Sequence, residues 1–208
     1  EEPNFEKAGR TFLKACDGGY AKSCTKYGEM YLQGIGVEPN LKYALKFMNK
    51  GCDAGDLDGC LVLAEAYAKG NGVGQDISKA TKFAIETCQA GYGRGCYALA
   101  QLNEGGDVWG KKSLYDPVKM YAKACKLGDG RGCSELALRE VAKGNATPAV
   151  QEKLKVGCKG EDTRACMVLA DLNIGTDMKT AMQYWLQACD SRHAGGCLSA
   201  GKQYQKQG

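Results

Sequence analysis

Apolar positions recur along this chain at helical spacing, and glycines interrupt them at regular places. In 4–17 the apolar side is marked by Phe5, Ala8 and Phe12; it returns as Leu41, Ala44, Phe47, as Ile77, Ala80, Phe83, and as Met178, Ala181, Trp185. Just ahead of these runs stand Asn4, Asn40, Asp76 and Asp177, residue types whose side chains cap helix N-termini. In the fourth run Ser113 holds that place, followed by Leu114, with Pro117 where the others have alanine and Tyr121 as the large residue. Each run predicts an amphipathic helix of about three turns.

A second pattern follows each of these helices. Large and small residues sit side by side at Tyr27–Gly28, Leu63–Ala64, Leu99–Ala100, Leu136–Ala137, Leu169–Ala170 and Ala200–Gly201. A small residue beside a large one lets a neighbouring helix come close, so a second helix is expected here. It should end at Gly34, Gly70 or Gly106, since helix C-termini favour a residue tolerant of positive φ. The stretches GIGV (34–37) and GNGV (70–73) then lead into the next first helix.

Twelve cysteines set the frame of this repetition. They fall into pairs eight apart: Cys16/Cys24, Cys52/Cys60, Cys88/Cys96, Cys125/Cys133, Cys158/Cys166 and Cys189/Cys197. Successive pairs are 36, 36, 37, 33 and 31 residues apart, a period that marks a solenoid of helical hairpins. In one continuous helix, residues eight apart lie roughly 12 Å from each other, whereas disulfide Cα atoms lie within about 7 Å. A disulfide therefore needs a turn between the two. Gly19, Gly55, Gly91 and Gly128, each three residues after a first cysteine, supply one, and the residue before each second cysteine is small: Ser23, Gly59, Gly95, Gly132, Ala165, Gly196. Each pair then staples the end of one helix to the start of the next. Zinc sites and dithiol oxidoreductases favour closer cysteine spacing, and the chain has no C-x-x-C and a single histidine, His193, in the last turn. Six staples imply an oxidising compartment.

Composition adds limits. The chain has 208 residues, is 44% hydrophobic and 25% charged, and carries a net charge of +4, too little to argue for nucleic acid. No apolar run reaches the roughly 18 residues of a membrane span, and no signal peptide is visible. The start, Glu1-Glu2-Pro3-Asn4, fits a mature or trimmed form.

The stretch YGEMYLQGIGVEPNLKYALKFMNKGCDAG (27–55) resembles a Sel1-like repeat. The cysteine pair added to each repeat resembles the Helicobacter cysteine-rich proteins of that superfamily. The likeness runs from Asn4 to about Gln205, and weakens where 105–117 lengthens one linker and KGNATPAV (143–150) shortens another. It implies an all-α, right-handed α/α superhelix of Sel1-like, TPR-like hairpins with an extended concave surface. It also implies secretion or periplasmic residence, and protein–protein interaction. Some members of that family have been described as penicillin-binding or weak β-lactamases.

Candidate chemistry is sparse. SCTK (23–26) matches the S-x-x-K motif of serine β-lactamases formally, but S-D-N and K-T-G are absent and Ser23 fills the small-residue place of its repeat. His193 reads as a solvent-facing turn residue. GNGVG (70–74) lacks the Lys-Ser/Thr of a phosphate loop. A basic set is more suggestive. Arg10, Lys46, Lys82 and Lys119 lie six before a first cysteine, while Lys14, Lys50, Glu86 and Lys123 lie two before. Offsets four apart share a helix face. Stacked repeats would align these residues as a basic stripe for an acidic or carboxylate-bearing peptide, or simply expose them as a solvated face.

The sequence thus predicts one solenoid domain over 4–205, of five to six repeats, with a short tail at 1–3. The expected function is a secreted or periplasmic scaffold that binds protein or peptide ligands, as a monomer, with no cofactor, metal, nucleic acid or catalysis of its own. The alternative is a β-lactam-binding protein or weak β-lactamase. A third setting is another oxidising compartment, such as the mitochondrial intermembrane space.

Overall fold

The computed structural model describes residues 4–104 and 115–207. Among these are twelve α-helices and no strand. They are α1 (Phe5–Asp17), α2 (Ala21–Gln33), α3 (Leu41–Asp53), α4 (Leu57–Lys69), α5 (Ile77–Gln89), α6 (Gly93–Glu104), α7 (Pro117–Lys126), α8 (Gly130–Ala142), α9 (Pro148–Lys159), α10 (Thr163–Asn173), α11 (Met178–Asp190) and α12 (Ala194–Gln207). The chain forms two compact units, one holding α1–α6 and the other α7–α12.

The expected caps are in place. Asn4, Asn40, Asp76 and Asp177 each accept a backbone N–H three residues on, from Lys7, Tyr43, Lys79 and Thr180, at 2.8–3.1 Å. The fourth first helix departs from expectation. Ser113 lies outside the described residues, and α7 is capped by Asp116, which accepts from Val118 N–H at 2.9 Å. Pro117 is the first helical residue, where its missing N–H and fixed φ suit a helix start. The α9 helix likewise opens on Pro148, after Thr147.

Every hairpin turn is built alike. The α1–α2 turn shows the pattern: Gly19 N–H donates to Cys16 C=O at 3.1 Å, and Tyr20 N–H donates to Ala15 C=O at 3.0 Å. This pair of bonds is the Schellman ending of a helix. It recurs after Cys52, Cys88, Cys125, Cys158 and Cys189. The residue that completes it is also the residue flanking the next helix: Asp56, Asp129 and Asp162 are N-caps, as is Tyr20. One residue thus ends one helix and starts the next.

The turn brings the two cysteines of each hairpin to a Cα–Cα distance of 4.5–4.8 Å, and all six pairs are disulfides. In the first unit Cys16 is bonded to Cys24, Cys52 to Cys60 and Cys88 to Cys96. In the second, Cys125 is bonded to Cys133, Cys158 to Cys166 and Cys189 to Cys197. Among the second cysteines, Cys24, Cys60, Cys96, Cys133 and Cys166 are buried, while Cys197, in the last helix, is exposed. The residue before the second cysteine must be small because the first helix lies against it. A Cβ on Gly132 would stand 2.8 Å from Tyr121 O, and one on Gly196 2.8 Å from Trp185 O.

Hairpins stack because each second helix also packs on the first helix of the next hairpin: α2 on α3 and α4 on α5 in one unit, α8 on α9 and α10 on α11 in the other. Their cores are shared across these joints. Leu45, Met48, Leu63 and Ala66 form one cluster, with Phe83 against it. In the other unit Ala137, Val150, Leu154, Ala165, Leu169 and Ala188 form another. Burial of such side chains contributes about 1.5–3 kcal/mol for each large one.

Candidate interaction surface

The basic residues predicted on the first helices are all exposed: Arg10 and Lys14 on α1, Lys46 and Lys50 on α3, Lys82 on α5, Lys119 and Lys123 on α7. The last two belong to the second unit. Several are already partnered. Arg10 pairs with Glu6 one turn away at 2.5 Å, and Lys82 lies 3.9 Å from Glu86. Lys50 reaches Asp17 at 2.8 Å and so ties α3 to α1. Lys14, Lys46, Lys119 and Lys123 make no ion pair with a described residue. The predicted set thus carries less free charge than the sequence suggests: four of its seven members make no ion pair with a described residue.

Beside Lys46 lies a feature that the sequence reading missed. Tyr27 and Tyr31 of α2 meet Tyr43 and Phe47 of α3. Tyr31 stacks on Tyr43 at 5.4 Å between ring centres and on Phe47 at 6.1 Å, while Tyr27 meets Phe47 edge-on at 4.7 Å. The Tyr27 and Tyr31 hydroxyls lie 3.4 Å apart. That hydrogen bond, aided by burial, pushes the Tyr27 hydroxyl up to about 12, so it stays neutral. The next joint repeats the theme: Tyr67 stacks on Phe83 at 6.1 Å, but Lys79 Nζ lies over its ring at 5.1 Å. The signal was present in the sequence. Tyr31 and Tyr67 each follow a second cysteine, Cys24 or Cys60, by seven residues, and Phe47 and Phe83 each precede a first cysteine by five.

Other polar links join successive hairpins. Tyr92 O–H donates to Asp58 at 2.5 Å, and Arg94 donates to the same oxygen at 3.0 Å. In the second unit Arg164 pairs with Glu135 at 2.8 Å. His193 is half-buried rather than simply solvent-facing, and its Nδ1 accepts from Gly196 N–H at 3.2 Å at the head of α12.

The S-x-x-K match has no catalytic geometry. Ser23 and Lys26 share one face of α2, but Lys26 Nζ is held by Glu29 at 2.7 Å. That hydrogen bond keeps the ammonium above the ordinary lysine range, the reverse of what a general base requires. All twelve cysteines are disulfide-bonded. No helix among the described residues is long and apolar enough to cross a membrane.

The stapled, capped helix pairs define a class of helical repeat protein, and comparison with known proteins says which. The chain belongs to the Sel1 repeat family: the Sel1 repeat model matches residues 21–56, 57–92, 93–129 and 165–193. The bridge at every repeat is the arrangement implied by the likeness to the Helicobacter cysteine-rich proteins. Among solved structures, the Sel1 repeat protein from Oxalobacter formigenes is 18% identical, with 96% of this chain and 87% of that one covered, at a TM-score of 0.67. The c5321 protective antigen of uropathogenic Escherichia coli, which displays an SLR fold, is 17% identical over 98% of this chain and 45% of its own, at 0.64. An immunity protein from Pseudomonas aeruginosa is 16% identical over 74% and 59%, at 0.58. No curated protein matches the chain. The fold is therefore the Sel1 repeat solenoid, a scaffold commonly used for protein interaction, and its six disulfides indicate an oxidising compartment.

Proposed function

We propose that this protein is an exported interaction scaffold, resident outside the cell or in the periplasm, which binds acidic protein or peptide ligands as a monomer. In the first unit the binding surface is the exposed face of α1, α3 and α5; in the second, α7 carries a basic face of its own. The observation that carries this reading is the set of exposed lysines Lys14, Lys46, Lys119 and Lys123, which make no ion pair with a described residue, while Arg10, Lys50 and Lys82 are held by Glu6, Asp17 and Glu86. Free cations on a rigid frame attract acidic partners and speed their encounter, an effect that salt weakens.

The test is capture of partners from the exported-protein fraction by the wild type and by the double variant Lys46→Glu/Lys119→Glu. Partners retained by the wild type, released by salt and lost by the variant support the reading. Equal retention by both removes it. Intact mass before and after reduction checks the compartment, since protein taken from its native source should gain two hydrogens for each of six bridges.

A further inference from the structure

We propose that the joint between α2 and α3 is a subsite for an acidic peptide segment bearing an aromatic side chain. This rests on the basic-face reading above and adds what the ligand must carry. Tyr43 is 48% exposed, yet its ring is stacked on Tyr31, which in turn lies parallel to Phe47 at an interplanar angle of 2°. A ring fixed in a stack loses little rotamer freedom when another ring settles on its open side.

The next joint shows what is special here. Its Tyr67–Phe83 stack is topped by Lys79, which stands in the repeat where Tyr43 stands. There the chain covers the Tyr67 ring with a cation; at the first joint the equivalent ring, Tyr31, is covered by Tyr43, itself an aromatic residue that remains 48% exposed. One turn along α3 from Tyr43 is Lys46, exposed and without an ion pair, and four residues before Lys46 is Lys42, also exposed. The counterparts of Lys46 in the neighbouring repeats, Arg10 and Lys82, have acidic neighbours at Glu6 and Glu86. A cationic ligand would be repelled by Lys42 and Lys46, so the complementary occupant is anionic. Side chains three apart on a helix are about 5–6 Å apart at Cβ. Residues one or two apart in an extended peptide span a similar distance. A carboxylate that close to an aromatic ring can therefore engage Lys46 while the ring covers Tyr43.

The test uses the oxidised full chain and three fluorescein-labelled hexapeptides: Gly-Asp-Asp-Trp-Asp-Asp, its analogue with Ser for Trp, and its analogue with Lys for every Asp. Binding is read by fluorescence anisotropy. The acidic Trp peptide should bind about fivefold more tightly than the Ser peptide, the range of one aromatic pair. Tyr43→Ala should erase that margin and Tyr43→Phe should keep it. Lys46→Glu should weaken both acidic peptides, and the Lys peptide should not bind. Equal binding of the Trp and Ser peptides overturns the aromatic subsite while sparing the basic face. Failure of both acidic peptides, or equal binding of the Lys peptide, overturns both. Helix content by circular dichroism confirms that each variant is folded.

Discussion

The α5–α6 turn and the α9–α10 turn have the same hydrogen bonds and the same disulfide, but different residues at their tightest point. Gly91 takes φ 81° in the first, and Glu161 takes φ 64° in the second. The α11–α12 turn is like the second, with Arg192 at φ 62°. A side chain in this left-handed region costs roughly 1–2 kcal/mol, and glycine avoids that cost. The comparison teaches that the turn is dictated by the staple and the two helix ends, not by glycine. Glycine makes the conformation easy; the bridge and the Schellman bonds hold it even where the residue resists.

The largest test removes the bridges. Loops of this size lose about 2.5 kcal/mol of stabilisation on the chain-entropy view. Replacing Cys88 and Cys96, or Cys158 and Cys166, by alanine should cost that much in denaturant unfolding. Only the second should also open its turn, because Glu161 is then free to relax. Hydrogen exchange at 159–163 should speed up more than at 89–93; equal protection would break the comparison. Next is close packing. Gly28 and Gly201 both lie four residues past a second cysteine, Cys24 and Cys197, but a Cβ on Gly28 would meet Ala44 O at 2.8 Å, while Gly201 has nothing within 4 Å. Gly28→Ala should lower stability by about 1–3 kcal/mol through overpacking. Gly201→Ala should raise it by about 0.5–1 kcal/mol through helix propensity.

A smaller effect comes from exchanging turn residues. Glu161→Gly should stabilise by about 1 kcal/mol and Gly91→Ala should destabilise by a similar amount, read as shifts of the unfolding midpoint. The smallest concerns acid. Asp177 caps α11, and its hydrogen bonds with Thr180 hold its carboxyl below the ordinary range. A carboxyl depressed in the folded state stabilises above its unfolded pKa and loses that contribution as pH falls through the folded value. Asn4 and Asn40 hold the same place in α1 and α3 and do not titrate. Below about pH 4, then, the amides at the start of α11 should exchange faster while those of α1 and α3 do not. Parallel behaviour of all three would show that the caps contribute alike.

Much of this frame is visible in the residues alone, because it is local. Asn4, Asn40, Asp76 and Asp177 act on N–H groups three residues away, and each cysteine pair, from Cys16 with Cys24 to Cys189 with Cys197, closes within nine residues. Ser113 misled because the linker there is longer, and the true marker was Asp116 directly before Pro117. The interaction surface was legible only as a set of exposed lysines. Whether each is free depends on residues a whole hairpin away, as Asp17 is from Lys50. The aromatic stack likewise arises only when α2 and α3 are set side by side, so no single helix pattern displays it.

The closed turns also bear on force. A chain pulled from its two ends lengthens by straightening whatever lies between fixed points. Each staple joins residues eight apart and so withholds about 27 Å of extended chain. Six of them would keep roughly 160 Å from ever being drawn out. Stretched in an oxidising medium, this protein would peel hairpin from hairpin, yet each turn would come away still folded over its own bridge.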